Sequence, residues 1–261
     1  MKKLTTILAV LAMSNFAFSQ EQTQKEESTE TQFSNPLYLD IPTEFNVKKG
    51  YKELNVLGAF QNFDEFKYYR TAVEYAFSPI DNLGLEVETP FNFYSSPENA
   101  ENKLEAIRIG GMYSLPNLKI QDFGLSVGFY NDFEFSTFEK FGKPLFEGNA
   151  FHPFLGIAKV WDKKFTTLVF AGPNFRTNFE ENHTLTDFHI NTTLGYKIGE
   201  KNNFVNLETN SVVYKGDWST YLRPQVRLSL KEQWSLGLGA TIPTKSEQKG
   251  FGGFFRLIYN P

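Results

Sequence analysis

Tyr69-Arg70-Thr71-Ala72-Val73-Glu74-Tyr75-Ala76-Phe77-Ser78, a break at Pro79-Ile80-Asp81-Asn82, then Leu83-Gly84-Leu85-Glu86-Val87-Glu88-Thr89-Pro90-Phe91: this stretch decides the fold. Odd positions carry aromatic, branched or aliphatic side chains; even positions carry charges and small residues. A period of two sends the sets to opposite faces of an extended strand. Proline, aspartate and asparagine between the runs supply turn chemistry, so the pair reads as an antiparallel hairpin.

The pattern recurs outward from this hairpin. Phe188, Ile190, Thr192, Leu194, Tyr196 and Ile198 alternate with Asp187, His189, Asn191, Thr193, Gly195 and Lys197. Leu222, Pro224, Val226, Leu228 and Leu230 oppose Tyr221, Arg223, Gln225, Arg227 and Ser229, and Trp234 to Ile242 repeats the scheme. Strands are expected near 51–60, 67–78, 83–92, 104–114, 123–134, 151–161, 165–174, 186–198, 203–211, 218–230, 234–242 and 251–259. Those at 151–161 and 165–174 alternate poorly, which leaves their facing open, and the last is apolar on both phases except at Arg256.

Composition narrows the class. Aromatic residues make up 16% of the 261, Phe alone 28, yet the mean hydropathy is −0.36. A membrane barrel dilutes its lipid-facing residues with lumen-facing ones in this way. The absence of cysteine excludes disulfides, thiolate metal sites, thiol nucleophiles and a lipidated cysteine. A formal charge of −4 gives no reason to expect nucleic acid. Lys2, Lys3, the apolar Leu4 to Phe18 and the small residues of Ala17-Phe18-Ser19 read as a signal peptide over 1–19. Residues 20–50 read as a periplasmic tail and motif segment, its first part too polar to order itself. No later stretch is apolar for the ~20 residues of a spanning helix, so a membrane location requires a closed barrel.

The expected fold is therefore all-β, a transmembrane up-and-down antiparallel barrel of about 12 strands over 51–261. Short turns after the second, sixth, eighth and tenth strands, against longer connections around 93–103, 135–150 and 175–185, fit periplasmic turns and outer loops. Tyr75, Phe77, Tyr113, Phe123, Trp161, Phe165, Tyr196, Phe204, Trp234 and Tyr259 fall at the short-turn ends, where an aromatic girdle belongs. A soluble secreted barrel is the rival reading; the charged phase opposite the apolar one favours the membrane.

At Asn35-Pro36-Leu37-Tyr38-Leu39-Asp40 the chain resembles the motif that names the HAEPLIID family of exported bacterial β-proteins. Ala76-Phe77-Ser78-Pro79-Ile80-Asp81, Leu83 to Phe91, Ala171-Gly172-Pro173 and Arg256-Leu257-Ile258-Tyr259 also fit, so the resemblance spans nearly the whole mature chain. Phe33-Ser34-Asn35 stands in place of His-Ala-Glu, so any role of that histidine is absent. The resemblance implies an exported, membrane-associated β-protein and assigns no activity.

Candidate lumen-lining residues are Arg70, Glu74, Glu86, Glu88, Arg108, Asp132, His189, Lys197, Glu208, Arg223, Arg227 and Arg256. Charges there either select solutes or pair and hold the barrel shut. Glu86 and Glu88 project to one face ~7 Å apart but lack an acid–base partner. His189 points inward and no serine is placed beside it, which weakens a lipid-hydrolase reading; His183 is placed in a long loop. No catalytic set, metal site or cofactor motif is expected. The leading expectation is a small-solute channel or transporter, with the outer-membrane bilayer as partner; the alternatives are a closed structural or adhesion barrel and a lipid-modifying enzyme.

Overall fold

The computed structural model describes residues 33, 36–38, 42–63, 66–95, 103–115, 122–136, 144–162, 164–199, 203–245 and 250–261. The expected signal peptide and residues 20–32 lie outside them, as do residues 137–143 of the expected 135–150 connection.

Thirteen strand segments form one sheet: β1 (Lys52–Asn62), β2 (Lys67–Ile80), β3 (Leu83–Tyr94), β4 (Lys103–Leu104), β5 (Ala106–Ser114), β6 (Phe123–Phe135), β7 (Phe146–Trp161), β8 (Phe165–Asn178), β9 (His183–Ile198), β10 (Asn203–Tyr214), β11 (Asp217–Lys231), β12 (Trp234–Pro243) and β13 (Phe251–Tyr259). Each pairs antiparallel with its neighbours, and β1 pairs with β13 from Leu54↔Tyr259 to Asn62↔Phe251. That last ladder closes the ring. β4 and β5 both pair with β3 and are two parts of one wall strand broken at Glu105, so the barrel is twelve-stranded. Closure leaves no edge, so the ladders can sit in hydrocarbon.

The alternation read from the sequence becomes inside and outside. Outward positions expose Leu54, Val56, Val73, Val87, Ile109, Leu155, Leu194 and Leu207, while Glu74, Glu86, Glu88, Glu208, Arg223, Arg227 and Arg256 are buried on the inner face. A soluble barrel would show the reverse. Nine of the ten proposed girdle aromatics sit on outward positions; Tyr75 stacks with Phe77 (5.7 Å), Phe165 meets Tyr196 (4.8 Å) and Trp234 meets Tyr259 (4.6 Å). Phe204 is the exception: it is 2% exposed and faces inward, as does its neighbour Asn206.

Two sequence expectations change. The long connection at 175–185 is a four-residue turn, because β8 and β9 pair out to Asn178↔His183. His183 therefore begins a strand. The 135–150 loop shrinks similarly, since Phe135 pairs with Phe146. With 14 to 16 residues, β7, β8 and β9 exceed the ~9–11 that a tilted strand needs to cross a bilayer. Residues read as loop are strand extended beyond the membrane. The contrast between rims is weaker than expected: β10 and β11 join through Lys215-Gly216 alone, whereas 115–122 intervenes on the opposite rim.

Candidate functional site: the filled lumen

Residues 36–38 and 42–47, expected outside the barrel, pack inside it, and 48–50 sit at its rim. They are anchored first at the rim that holds the β2–β3 turn. Asn82 N donates to Val47 O (2.7 Å), Gly50 N to Ser78 O (2.9 Å), Lys49 N to Asp81 Oδ1 (2.8 Å) and Asn46 N to Ser114 Oγ (3.1 Å). At the opposite wall Leu37 N donates to Gln225 Oε1 (2.7 Å) and Tyr38 N to Glu208 Oε2 (3.4 Å). Gln225 Nε2 and Asn210 Nδ2 also bond Glu208, at 2.7 and 2.6 Å, so that carboxylate, 0% exposed, is held between wall and inserted segment. The Tyr38 ring lies 3.6 Å from the Arg223 guanidinium and edge-on to Phe254.

Apolar contacts account for the seating. Phe33, Leu37, Phe45 and Val47 are each no more than 6% exposed. Phe33 and Phe45 join a cluster with Met112, Tyr130, Phe154, Ala158, Val160, Leu168 and Phe170, all supplied by β5 to β8. Leu37 joins Leu57, Ala72, Phe254 and Ile258 on the other side. Burying such a side chain contributes about 1.5–3 kcal/mol. This explains why 151–161 and 165–174 alternate poorly: their inner faces are apolar to receive the segment, their outer faces apolar to meet lipid.

Inner-wall glycines make the room. A Cβ at Gly237 would come within 2.8 Å of Leu37, at Gly124 within 2.9 Å of Phe45 and at Gly110 within 3.2 Å of Pro42; at Gly84 it would overlap the Thr43 side chain. Contacts under about 3 Å cannot be accommodated without movement. Wall and segment are shaped to each other.

The candidate lumen residues divide into two groups. Beside β1, β2, β3, β5, β6 and β13 they form one ion-paired net. Arg256 bonds Glu74 (2.9 Å), Arg70 bonds Glu88 (2.9 Å), and Arg108 reaches Glu88 (3.1 Å) and grips Asp132 through two nitrogens (2.7 and 2.9 Å). Glu74, Glu86 and Glu88 each bring one oxygen within 4.8 Å of the others, closer than strand spacing alone implies. Across the barrel, Arg223 bonds Asn210 and Thr241, while His189 Nε2 lies 2.7 Å from Asp187 and its ring 4.8 Å from that of His152. Among the described residues no serine is bonded to His189. Arg227 and Ser229 line a cavity of about 830 Å³ at the rim by the β11–β12 turn, with Lys231, Trp234, Ser235 and Asn260. Lys197 is half-buried near the same rim, tied through its backbone N to Lys164 O (2.8 Å). Burial raises the Glu44 carboxyl above its ordinary value, with Arg227 opposing and Glu53 adding.

Sequence reasoning missed the inserted segment. Its signal was present in Phe33, Leu37, Phe45 and Val47 within a polar stretch, and in glycines at inward positions of four strands.

A protein family described as HAEPLYID-like matches residues 29–260. The chain belongs to that family. The motif in its name aligns with Phe33 to Asp40, so the HAEPLYID stretch supplies Phe33, Pro36, Leu37 and Tyr38 of the inserted segment. No curated protein sequence matches the chain. Among solved structures it is similar to an outer-membrane channel from Pseudomonas putida F1 (TM-score 0.64, 11% identity, 91% of this chain and 100% of that one). It is also similar to the KdgM porin (TM-score 0.56, 10% identity, 79% and 98%) and the NanC porin (0.57, 10%, 80% and 99%). At these identities the likeness is one of fold: this HAEPLYID-like chain has the architecture of outer-membrane porins.

Proposed function

We propose that this protein is an outer-membrane channel for small polar solutes, held closed by its own N-terminal segment. The carrying observation is the insertion itself: Leu37 and Tyr38 hydrogen-bond to the wall at Gln225 and Glu208, and wall glycines are recessed to admit Leu37, Pro42, Thr43 and Phe45. The outward apolar face and the aromatic girdle support the membrane location. The porin architecture supports the channel reading. A KdgM porin has also been solved in complex with disordered oligogalacturonate. Here the inner wall carries both signs, largely as neighbouring pairs, which favours uncharged or zwitterionic solutes over an oligoanion.

Swelling of proteoliposomes in isotonic small sugars or amino acids tests this function. Gly84→Val, whose side chain would displace Thr43, is expected to swell faster than the parent. If both swell no faster than protein-free liposomes, the channel reading fails.

A further inference from the structure

The three carboxylates on β2 and β3 do more than balance arginines. Glu74, Glu86 and Glu88 are 3%, 1% and 5% exposed, and one oxygen of each lies within 4.8 Å of the others. Glu74 is bonded by Arg256 and Asn55, and Glu88 by Arg70 and Arg108. Glu86 has neither: its buried Oε2 lacks any hydrogen-bond partner, and one of its oxygens lies in the cluster. A carboxyl buried this deeply is compensated either by a proton or by a cation.

The local charges give a second reason. Five acids converge here (Glu53, Glu74, Glu86, Glu88 and Asp132), and all but Glu86 are joined by hydrogen bonds or ion pairs to three arginines (Arg70, Arg108 and Arg256), to Asn55 or to Tyr51. With every carboxyl ionised, five acids against three arginines leave an excess of two negative charges inside the wall. Asn55, 0% exposed, donates its Nδ2 to Glu53 and Glu74 and leaves its Oδ1 without a partner. Half a turn of that amide would add a neutral oxygen to the same cluster.

We propose that Glu74, Glu86 and Glu88 form a binding site for one hard divalent cation, calcium. An all-oxygen, carboxylate-rich set selects hard cations over zinc or copper. Oxygens within 4.8 Å of one another can share an ion at calcium's bond lengths of about 2.3–2.6 Å, and magnesium, which sheds its waters reluctantly, is poorly suited to a buried set made of protein oxygens. One calcium ion cancels the two excess charges, pairs Glu86 and ties β2 to β3 inside the barrel. The site is independent of whether the lumen conducts.

The test uses full-length protein refolded in detergent, free of lipopolysaccharide and stripped with EDTA, with radioactive calcium offered before and after refolding. One ion per chain is expected, with at least a tenfold loss of affinity in Glu86→Gln, and EDTA should lower the unfolding temperature of the parent but not of that variant. Glu88→Gln serves as the second variant if Glu86→Gln does not fold. Failure of the parent to bind calcium, or equal binding by the folded variant, overturns the site. Uptake of magnesium or manganese without calcium overturns the calcium assignment.

Discussion

Replacing Leu37 and Phe45 by alanine should open the channel. Leu37 is 1% exposed and Phe45 6% exposed, and they belong to separate clusters on opposite sides of the lumen. Truncating a buried leucine costs about 2–5 kcal/mol and a buried phenylalanine about 3–5. The sites share no cluster, so the losses add, to roughly 5 kcal/mol at the low end. At about 1.4 kcal/mol per factor of ten, the ratio of withdrawn to seated segment rises by three to four powers of ten. The closed ring of ladders includes none of the described residues from 33 to 47, so the barrel itself should persist. Planar-bilayer recording reads the effect: rare openings in the parent, long openings in the double variant, with heat-modifiable gel mobility confirming the fold. A folded, inserted double variant as silent as its parent would refute the reasoning, and so would a parent that conducts equally well.

Three further outcomes follow from the same wall and segment. Arg256→Met leaves Glu74 buried beside its other acids and should cost about 3–5 kcal/mol in denaturant unfolding, much of it regained when Glu74→Gln is added; no recovery would contradict the pairing. Because burial raises the Glu44 carboxyl above its unfolded value, its contribution to seating is full below that value and is lost as pH rises through the folded one. Bilayer openings should therefore become more frequent with rising pH, and Glu44→Gln should abolish the dependence; an unchanged profile in that variant would dismiss Glu44. Phe204→Asp, at an inward position, should impair refolding far more than Phe165→Asp, at an outward position of the same rim, as judged by folded yield; the opposite order would reverse their facing.

The barrel was legible because lipid and lumen impose opposite demands on alternate residues, and Tyr69 to Phe91 or Phe188 to Ile198 record both. Legibility failed where the demands coincide. Phe154, Ala158, Leu168 and Phe170 face an apolar segment rather than water, so the inner phase of β7 and β8 looks like the outer one. Phe204 lay at a strand end among outward aromatics and gave no local sign of pointing in. The pairing of Arg108 with Glu88 and Asp132 depends on the register of β3, β5 and β6, which alternation within one strand cannot supply. The inserted segment was hidden by the polar run before it: Gln20 to Gln32 reads as a tail, and Leu37 and Phe45 gain a partner only once the wall exists.

Occupation of the lumen by the family's own motif is most directly tested by cross-linking. The chain has no cysteine, so Leu37→Cys with Gly237→Cys introduces the only pair. A Cβ at Gly237 would lie 3.4 Å from Leu37 Cγ, which puts the Leu37 Cβ, one bond further along, no more than about 4.9 Å away, a range that includes the Cβ separation of about 3.5–4.5 Å that a disulfide needs. In the folded, membrane-inserted protein, mild oxidation is expected to join the two nearly completely, seen as a faster-migrating band after boiling without reductant, and to hold the channel shut until reductant is added. A folded barrel in which the pair stays reduced would place the segment outside the lumen and contradict the account.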